Sequence, residues 1–365
     1  MNITFLIGNG FDLNLGLKTS FSDFLKVYKE LQVGDSAVIK KFKTDFLRDE
    51  QLWSDAELAF GKITDKFYSE KMTGQDFSDC HIDFCEKLGG YLENQESRLK
   101  IEDSKLFLDF SSAILNPTIG LSKLAAATLD ANMKPYGTVN FFNFVSFNYT
   151  RTIDRFVEKL QGAAMLNGPM QVRSECGVLM HVHGYTNSEM MLGVNDVSQI
   201  ANENLFENQY YKSQLIKPVW NNLNENGVDE ATYGLLKRSD LIYIYGMSLG
   251  ETDSLWWKRI GDLLFQNANL MVIIYVHKSF PQNLVPRDKI IFREYKKDEF
   301  LRFVNYGDGT KDDLKKRIHI TFDNIFVNLQ DLEAQEKVLE EERKRLMKEK
   351  IELLQSLPAS SQLSN

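Results

Sequence analysis

The sequence predicts an α/β protein: a parallel sheet with helices on both faces, a large helical insertion after the first strand and a long C-terminal helix. Three observations carry this expectation. The chain opens on a short, dominantly apolar run, Ile3 to Ile7, closed by Gly8-Asn9-Gly10. Further apolar runs of strand length return only from Val139 onward. Stretches with apolar residues at three- and four-residue spacing lie between them, and strands alternating with helices fold as a parallel sheet wrapped on both sides.

The first run offers water no polar face, as a central parallel strand buried on both sides requires. From about Ser20 to Asp130 the pattern turns helical, in SFSDFLKVYKEL, WSDAELAFGKITDKFY and SDCHIDFCEKLGGYLENQ. Residues 21–135 are therefore expected to be a helical insertion. Strands follow at Val139 to Phe147, Val178 to Val182, Leu241 to Tyr245 and Met271 to Val276, with helices at Thr150 to Leu160, Asn202 to Leu223 and Asp253 to Phe265. The core is then residues 1–20 and 136–305, and its ligand belongs beyond the carboxyl ends of the strands. Residues 306–357 are expected to form a C-terminal helical region. Within it Ile325, Leu332, Leu339, Leu346 and Leu353 recur every seven residues, while Glu336, Arg343 and Lys350 take the second heptad position. Such a narrow stripe suits a dimer seam, docking on another helix, or packing on its own domain. Residues 358–365, from Pro358, are expected to be a disordered tail.

Composition narrows the function classes. The 365 residues carry 43 basic and 51 acidic side chains, a net charge of -8, which argues against a nucleic-acid-coating surface. A nuclease effector would want a basic groove and a metal carboxylate cluster, and neither pattern is present in the sequence. Three cysteines are few for a disulfide framework and fit a reducing compartment. With no signal-peptide pattern and no apolar run of spanning length, a cytoplasmic protein without a membrane segment is expected.

Chemistry is concentrated at the strand ends. Gly8-Asn9-Gly10-Phe11-Asp12 follows a strand and precedes helix-like sequence, where glycines let a backbone approach phosphates and amide N–H groups supply positive potential. Leu13 stands where a dinucleotide-dehydrogenase motif wants its third glycine, and no Gly-Lys-Ser/Thr loop is present, so a standard dehydrogenase and a P-loop ATPase are disfavoured. Asp12 either caps the turn or meets a ribose hydroxyl. In FVSFNYTRTID, Asn148 faces the ligand crevice, or else Asn148 or Thr150 caps the next helix. In LMHVHGYTNSEM, His183 beside Gly184 reads as a single catalytic histidine, with His181 a packed core residue; a metal pair lacks a third ligand, and no metal is expected. In DLIYIYGMSLGETD, Gly246 and Ser248 form a second glycine turn that contacts a ribose or phosphate, or an ordinary turn capped by Ser248 or Thr252. Glu57 lies four residues after Trp53 on one helix face and suits a buried hydrogen-bonding role, with direct substrate contact as the alternative.

At these residues the chain resembles the AbiH family of bacteriophage abortive-infection proteins. LIGNGFDLNLGLKTSFSDFL and LWSDAELAFG carry the resemblance, and SFNYT, HVHG and YGMSLGETD are similar both to AbiH and to SIR2-like, sirtuin-type proteins. The resemblance implies an inverted Rossmann-like fold that binds NAD as substrate and cleaves its nicotinamide–ribose bond, depleting cellular NAD in infected cells. It implies that Gly8 and Gly10 cradle the pyrophosphate, with Asn9, Phe11, Asp12 and Thr150 as further cofactor-binding residues. Asn148 orients the ribose and attacking water, His183 is the general base, and Gly246 and Ser248 hold the adenine side. Thr150 stands where an aspartate is expected, with Asp154 as its possible substitute; the sirtuin zinc ribbon has no counterpart. A non-hydrolysing NAD or ADP-ribose sensor acting through a partner is the alternative. A homo-oligomer built through the C-terminal helix, answering a phage-derived trigger, completes the expectation.

Overall fold

A computed structural model of the chain describes residues 1–31, 34–48, 55–99, 104–133, 139–161, 165–167, 172–206, 209–278, 286–326 and 345. Its centre is a seven-stranded sheet, ordered β3-β4-β2-β1-β5-β6-β7. The strands are β1 (Asn2–Ile7), β2 (Val139–Ser146), β3 (Met165–Asn167), β4 (Val172–His181), β5 (Leu241–Tyr245), β6 (Met271–Tyr275) and β7 (Ile318–Thr321). All neighbours pair parallel except β3, which runs antiparallel to β4 at one edge. Counting parallel strands alone, the order reverses direction at β1, between β2 and β5, which is the Rossmann arrangement with its ligand crevice at that switch point.

Both faces of the central strands are covered. Alternation along β1 sends Ile3, Phe5 and Ile7 into one core with Phe144, Tyr243 and Ile273, and Leu6 into the opposite core with Val145, Ile242 and Ile274. The first core is closed by α6 (Ser104–Leu115), α8 (Thr152–Leu160) and Phe326; the second by α11 (Val228–Lys237), α12 (Ser254–Gln266), α13 (Pro286–Leu301) and α14 (Asp308–Lys315). A third core belongs to the insertion between β1 and β2, where Phe24, Phe42, Phe46, Phe60, Phe77 and Phe84 pack their rings together.

That insertion begins after a short helix, α1 (Gly10–Asn14), and runs through α2 (Phe21–Tyr28), α3 (Ala37–Phe46), α4 (Ala56–Ser69), α5 (Gly74–Glu96), α6 and α7 (Lys123–Met133). Its helices start on local signals. Ser20, Ser36 and Asp55 each accept the amide of the third residue on, and Thr73 and Asp76 form a reciprocal capping box at the start of α5. Thr73→Ala removes one side of that box far from the sheet and is expected to cost about 1 kcal/mol, read as a shift in the denaturation midpoint. An unshifted midpoint would mean that α5 is held by its packing alone.

The structure corrects several sequence boundaries. The helix expected over Asn202 to Leu223 is broken into short 3₁₀ and α segments, ending in α9 (Gln209–Ser213) and α10 (Lys217–Leu223). Val194 N–H donates to Leu215 O at 2.7 Å and Lys217 N–H to Val194 O at 2.9 Å, so a tertiary backbone pairing takes the residues between α9 and α10 away from the helix. The segment expected to be helical beyond residue 305 holds a strand, β7, which extends the sheet beside β6. The leucine stripe beyond Phe326 and the tail from Pro358 lie outside the described residues. Among the described residues no helix is long and apolar enough to cross a membrane.

Candidate functional site

Four strand ends meet at the switch point. Gly8 to Asp12 follow β1, Phe147 to Thr150 follow β2, His183 follows β4, and Gly246 to Asp253 follow β5. With α2, α4 and α5 of the insertion as a lid, they enclose a cavity of about 340 Å³. Asn148 and His183, 5% and 4% exposed, line it from two different strands. Glycines Gly8, Gly10 and Gly246 bring the β1 and β5 loops into backbone contact. Gly8 N–H donates to Tyr245 O at 2.9 Å, Gly10 N–H to Gly246 O at 2.8 Å and Phe11 N–H to Gly8 O at 2.9 Å. The Asn9 side chain is pinned by Thr19, whose hydroxyl donates to Asn9 Oδ1 at 2.6 Å.

Asp12 is fully buried beside Asn148. Thr150 Oγ1 donates to Asp12 Oδ2, and Thr152 and Asn148 face the same carboxyl. Even so, Asp12 Oδ1, Asn148 Oδ1 and Thr152 Oγ1 find no partner among the described residues. No Lys or Arg offsets this burial in the cavity wall, so desolvation pushes Asp12 up to about 7.

On the other side of the cavity lies a buried chain of charges. Lys217 Nζ sits 2.9 Å from both oxygens of Glu57, which also accepts from Tyr149 Oη, and 3.2–3.3 Å from both ring nitrogens of His183. Asp253 Oδ1 lies 3.8 Å from His183 Nε2. Burial and the Lys217 ammonium hold the imidazole well below its ordinary value, so it is neutral and can accept a proton. Burial likewise pushes Asp253 up to about 7, and raises Glu57 despite Lys217 and Tyr149.

The stretch that builds this cavity also decides the family, for residues 4–275 match the model of bacteriophage abortive infection AbiH. The chain belongs to the AbiH family. The match begins in β1 and ends in β6, so it spans every element that contributes to the cavity. No curated protein matches the chain.

In this AbiH protein the strand-end residues singled out by sequence divide by role. Gly8, Asn9, Asp12, Asn148, Thr150, His183, Gly246 and Ser248 all line the cavity. Phe11 does not: its ring is 1% exposed in the core against Phe110, Phe156, Tyr245 and Phe326, so it anchors the turn. The amides of Gly8, Gly10 and Phe11 are spent on loop contacts, so in this state they are not offered to a phosphate. Neither Asn148 nor Thr150 caps α8, whose N-cap is Arg151 without a side-chain bond; Thr150 serves Asp12. Neither Ser248 nor Thr252 caps α12, whose N-cap is Asp253 without a side-chain bond, and the Thr252 hydroxyl donates to Asp55.

Asp154 does not replace the acid missing at Thr150. It binds His181 Nε2 at 3.0 Å, and the two line a separate cavity of about 400 Å³ that touches the first only through His183. Glu57 takes the buried role expected of it, and it also lines the cavity. Trp53 lies outside the described residues. Sequence reasoning missed Lys217 and Asp253. Lys217 had one signal, a cation inside the apolar run Leu215-Ile216 just before Pro218. Among the described residues no group of three His, Cys, Asp or Glu could hold a metal ion.

Asp12 makes this AbiH fold sensitive to pH in a defined direction. Its folded value, about 7, lies above the ordinary 3.8, so its contribution to stability is fully present below the lower value and lost as pH rises through the upper one. Asp12→Asn cannot ionise, so its denaturation midpoint relative to wild type is expected to rise as pH goes from 3.8 to about 7 and to level off above that. Parallel curves over that range would show that Asp12 carries its charge in the folded chain.

Proposed function

We propose that the chain binds NAD across the switch point and hydrolyses its nicotinamide–ribose bond, acting in phage abortive infection by depleting NAD. One observation carries this reading: the charge order of two adjoining cavities. The cavity with Asn148 and His183 is lined by Asp12, Asp55, Glu57 and Asp253 and by no Lys or Arg. Across the Gly246 turn lies a second, about 750 Å³, lined by Arg302, His277 and Lys296, the last paired with Glu299, the one acid there, so that Arg302 leaves the lining with a net positive charge. The two share Asn9, Leu13, Gly246, Met247 and Ser248. An acidic chamber beside a basic one suits a molecule with a cationic pyridinium at one end and phosphates nearer the other. The resemblance of the SFNYT, HVHG and GMS blocks to SIR2-like proteins supports the same ligand.

The chemistry asks little of the protein. The C1′–N bond breaks heterolytically, nicotinamide leaves as a neutral molecule with the bonding pair, and the ribose becomes oxocarbenium-like. The side-chain oxygens of Asp12, Asp55, Glu57 and Asp253 around the chamber face that positive charge and stabilise it. Water then adds to C1′ and loses its proton to neutral His183, giving ADP-ribose. Asn148 orients the ribose and water, and the unpartnered oxygens of Asp12 and Asn148 suit hydroxyl or amide donors of the ligand.

Incubating the purified full chain with NAD, with and without lysate from infected cells, and separating products by chromatography tests the reading. Equal amounts of nicotinamide and ADP-ribose are expected. Saturable NAD binding by calorimetry without either product would overturn hydrolysis in favour of a sensor, and the absence of binding would overturn both.

A further inference from the structure

Glu57, Lys217 and His183 come from α4, from the start of α10 and from beyond β4, yet they form one buried contact. Lys217 is 3% exposed and does not line the cavity, so it has no path to a ligand there. Its place is fixed at both ends. The backbone N–H donates to Val194 O at 2.9 Å, and the ammonium sits 2.9 Å from each oxygen of Glu57. Glu57 is in turn held by Tyr149, whose hydroxyl also reaches Met191 O at 3.1 Å. Lys217 Nζ lies 3.3 Å from His183 Nδ1 and 3.2 Å from Nε2. A cation so nearly equidistant from both nitrogens does not single out one lone pair. It acts as a fixed positive charge against the ring.

The other groups facing His183 do not cancel that charge. Phe147 lies edge-on at 5.4 Å and its backbone bonds the ring; the Tyr149 ring is at 6.1 Å. Asp253, at 3.8 Å, is half-buried, and desolvation together with Glu57 and Asp55 favours its neutral form against the pull of Lys217. We propose that Lys217, clamped by Glu57, is a positioning residue that holds the His183 imidazole unprotonated at the cavity wall. The protonation state itself stands on that geometry. Its consequence for turnover rests on the glycohydrolase reading.

The test is a pH titration of the full chain labelled at histidine Cε1, with the His183 signal assigned by its loss in His183→Gln. In wild type this signal is expected to stay in the neutral form while an ordinary histidine titrates near ~6.5. In Lys217→Met its midpoint is expected to rise. Because that change strands the Glu57 charge, the double variant Lys217→Met/Glu57→Gln removes both charges together and is expected to raise the midpoint as well. Lys217→Arg keeps the charge and is expected to keep the ring neutral. If NAD is cleaved, the acid limb of kcat moves to higher pH by the same amount in both methionine variants, while KM of the single variant Lys217→Met stays within about twofold because Lys217 does not line the cavity. A His183 midpoint unchanged by both methionine variants, or at the ordinary value in wild type, would overturn the inference. Titration as described in a chain that leaves NAD intact would uphold Lys217 as the residue controlling the ring and overturn only the glycohydrolase reading.

Discussion

Replacing His183 with Gln is expected to lower NAD cleavage about 10²–10⁴-fold, the usual worth of a positioned proton acceptor, equivalent to about 3–5 kcal/mol in the barrier. Glutamine is the informative choice. It fills similar space, and its carbonyl can accept from Lys217 in place of an imidazole nitrogen, so no buried charge is left bare. Asn148→Ala is expected to cost the same order, because ribose and water lose their orienting group. The double variant should be hardly worse than either single one, since the two residues serve one step. Nicotinamide release at saturating NAD measures all three. Turnover within about twofold of wild type in His183→Gln would remove the histidine from the chemistry.

Gly246→Ala is expected to destabilise the fold by about 2–5 kcal/mol. Gly246 has φ +69°, where an L side chain costs about 1–2 kcal/mol. A Cβ there would also stand 2.7 Å from Phe11 N and 2.8 Å from Gly10 Cα, both backbone atoms that cannot turn aside, and overpacking of this kind costs about 1–3 kcal/mol more. Gly227 separates the two effects, for it has φ +60° with nothing within 4 Å of the added carbon. Gly227→Ala should therefore lose only the conformational part, about 1–2 kcal/mol. Denaturation midpoints of the two variants give the difference. Equal losses would mean that the contact between the β1 and β5 loops does not hold the switch point together.

Much of this fold was legible because the central strands are buried on both faces. β1, β5 and β6 are all but continuous apolar runs, and β5 begins and ends where its pattern does. The edges were not legible. The first half of β4 carries Arg173 and Glu175, and β7 is four residues set among charges, Lys315-Lys316-Arg317 before it and Asp323 after. Pairing to a distant strand, and not local pattern, makes them strands. The break before α10 was missed for the same reason, since a backbone pairing of Leu215 and Lys217 with Val194 outweighs helical periodicity there.

For the site, residue types at strand ends located Asn148 and His183, because chain order alone brings strand ends to one crevice. What each group bonds depends on partners far away in sequence. Thr150 looked like a cap and serves Asp12; Asp154 looked like a substitute acid and serves His181; the glycine amides looked like a phosphate cradle and serve the β5 loop. Lys217 stayed hidden because its partners Glu57 and His183 are separated from it by 160 and 34 residues.

NAD measured in infected cells that express the wild-type chain or Asn148→Ala, at matched protein levels, tests the central claim most directly. NAD is expected to collapse during infection with the wild type and to hold with Asn148→Ala, together with loss of protection. NAD that holds in both, while the wild type still protects, would contradict the account.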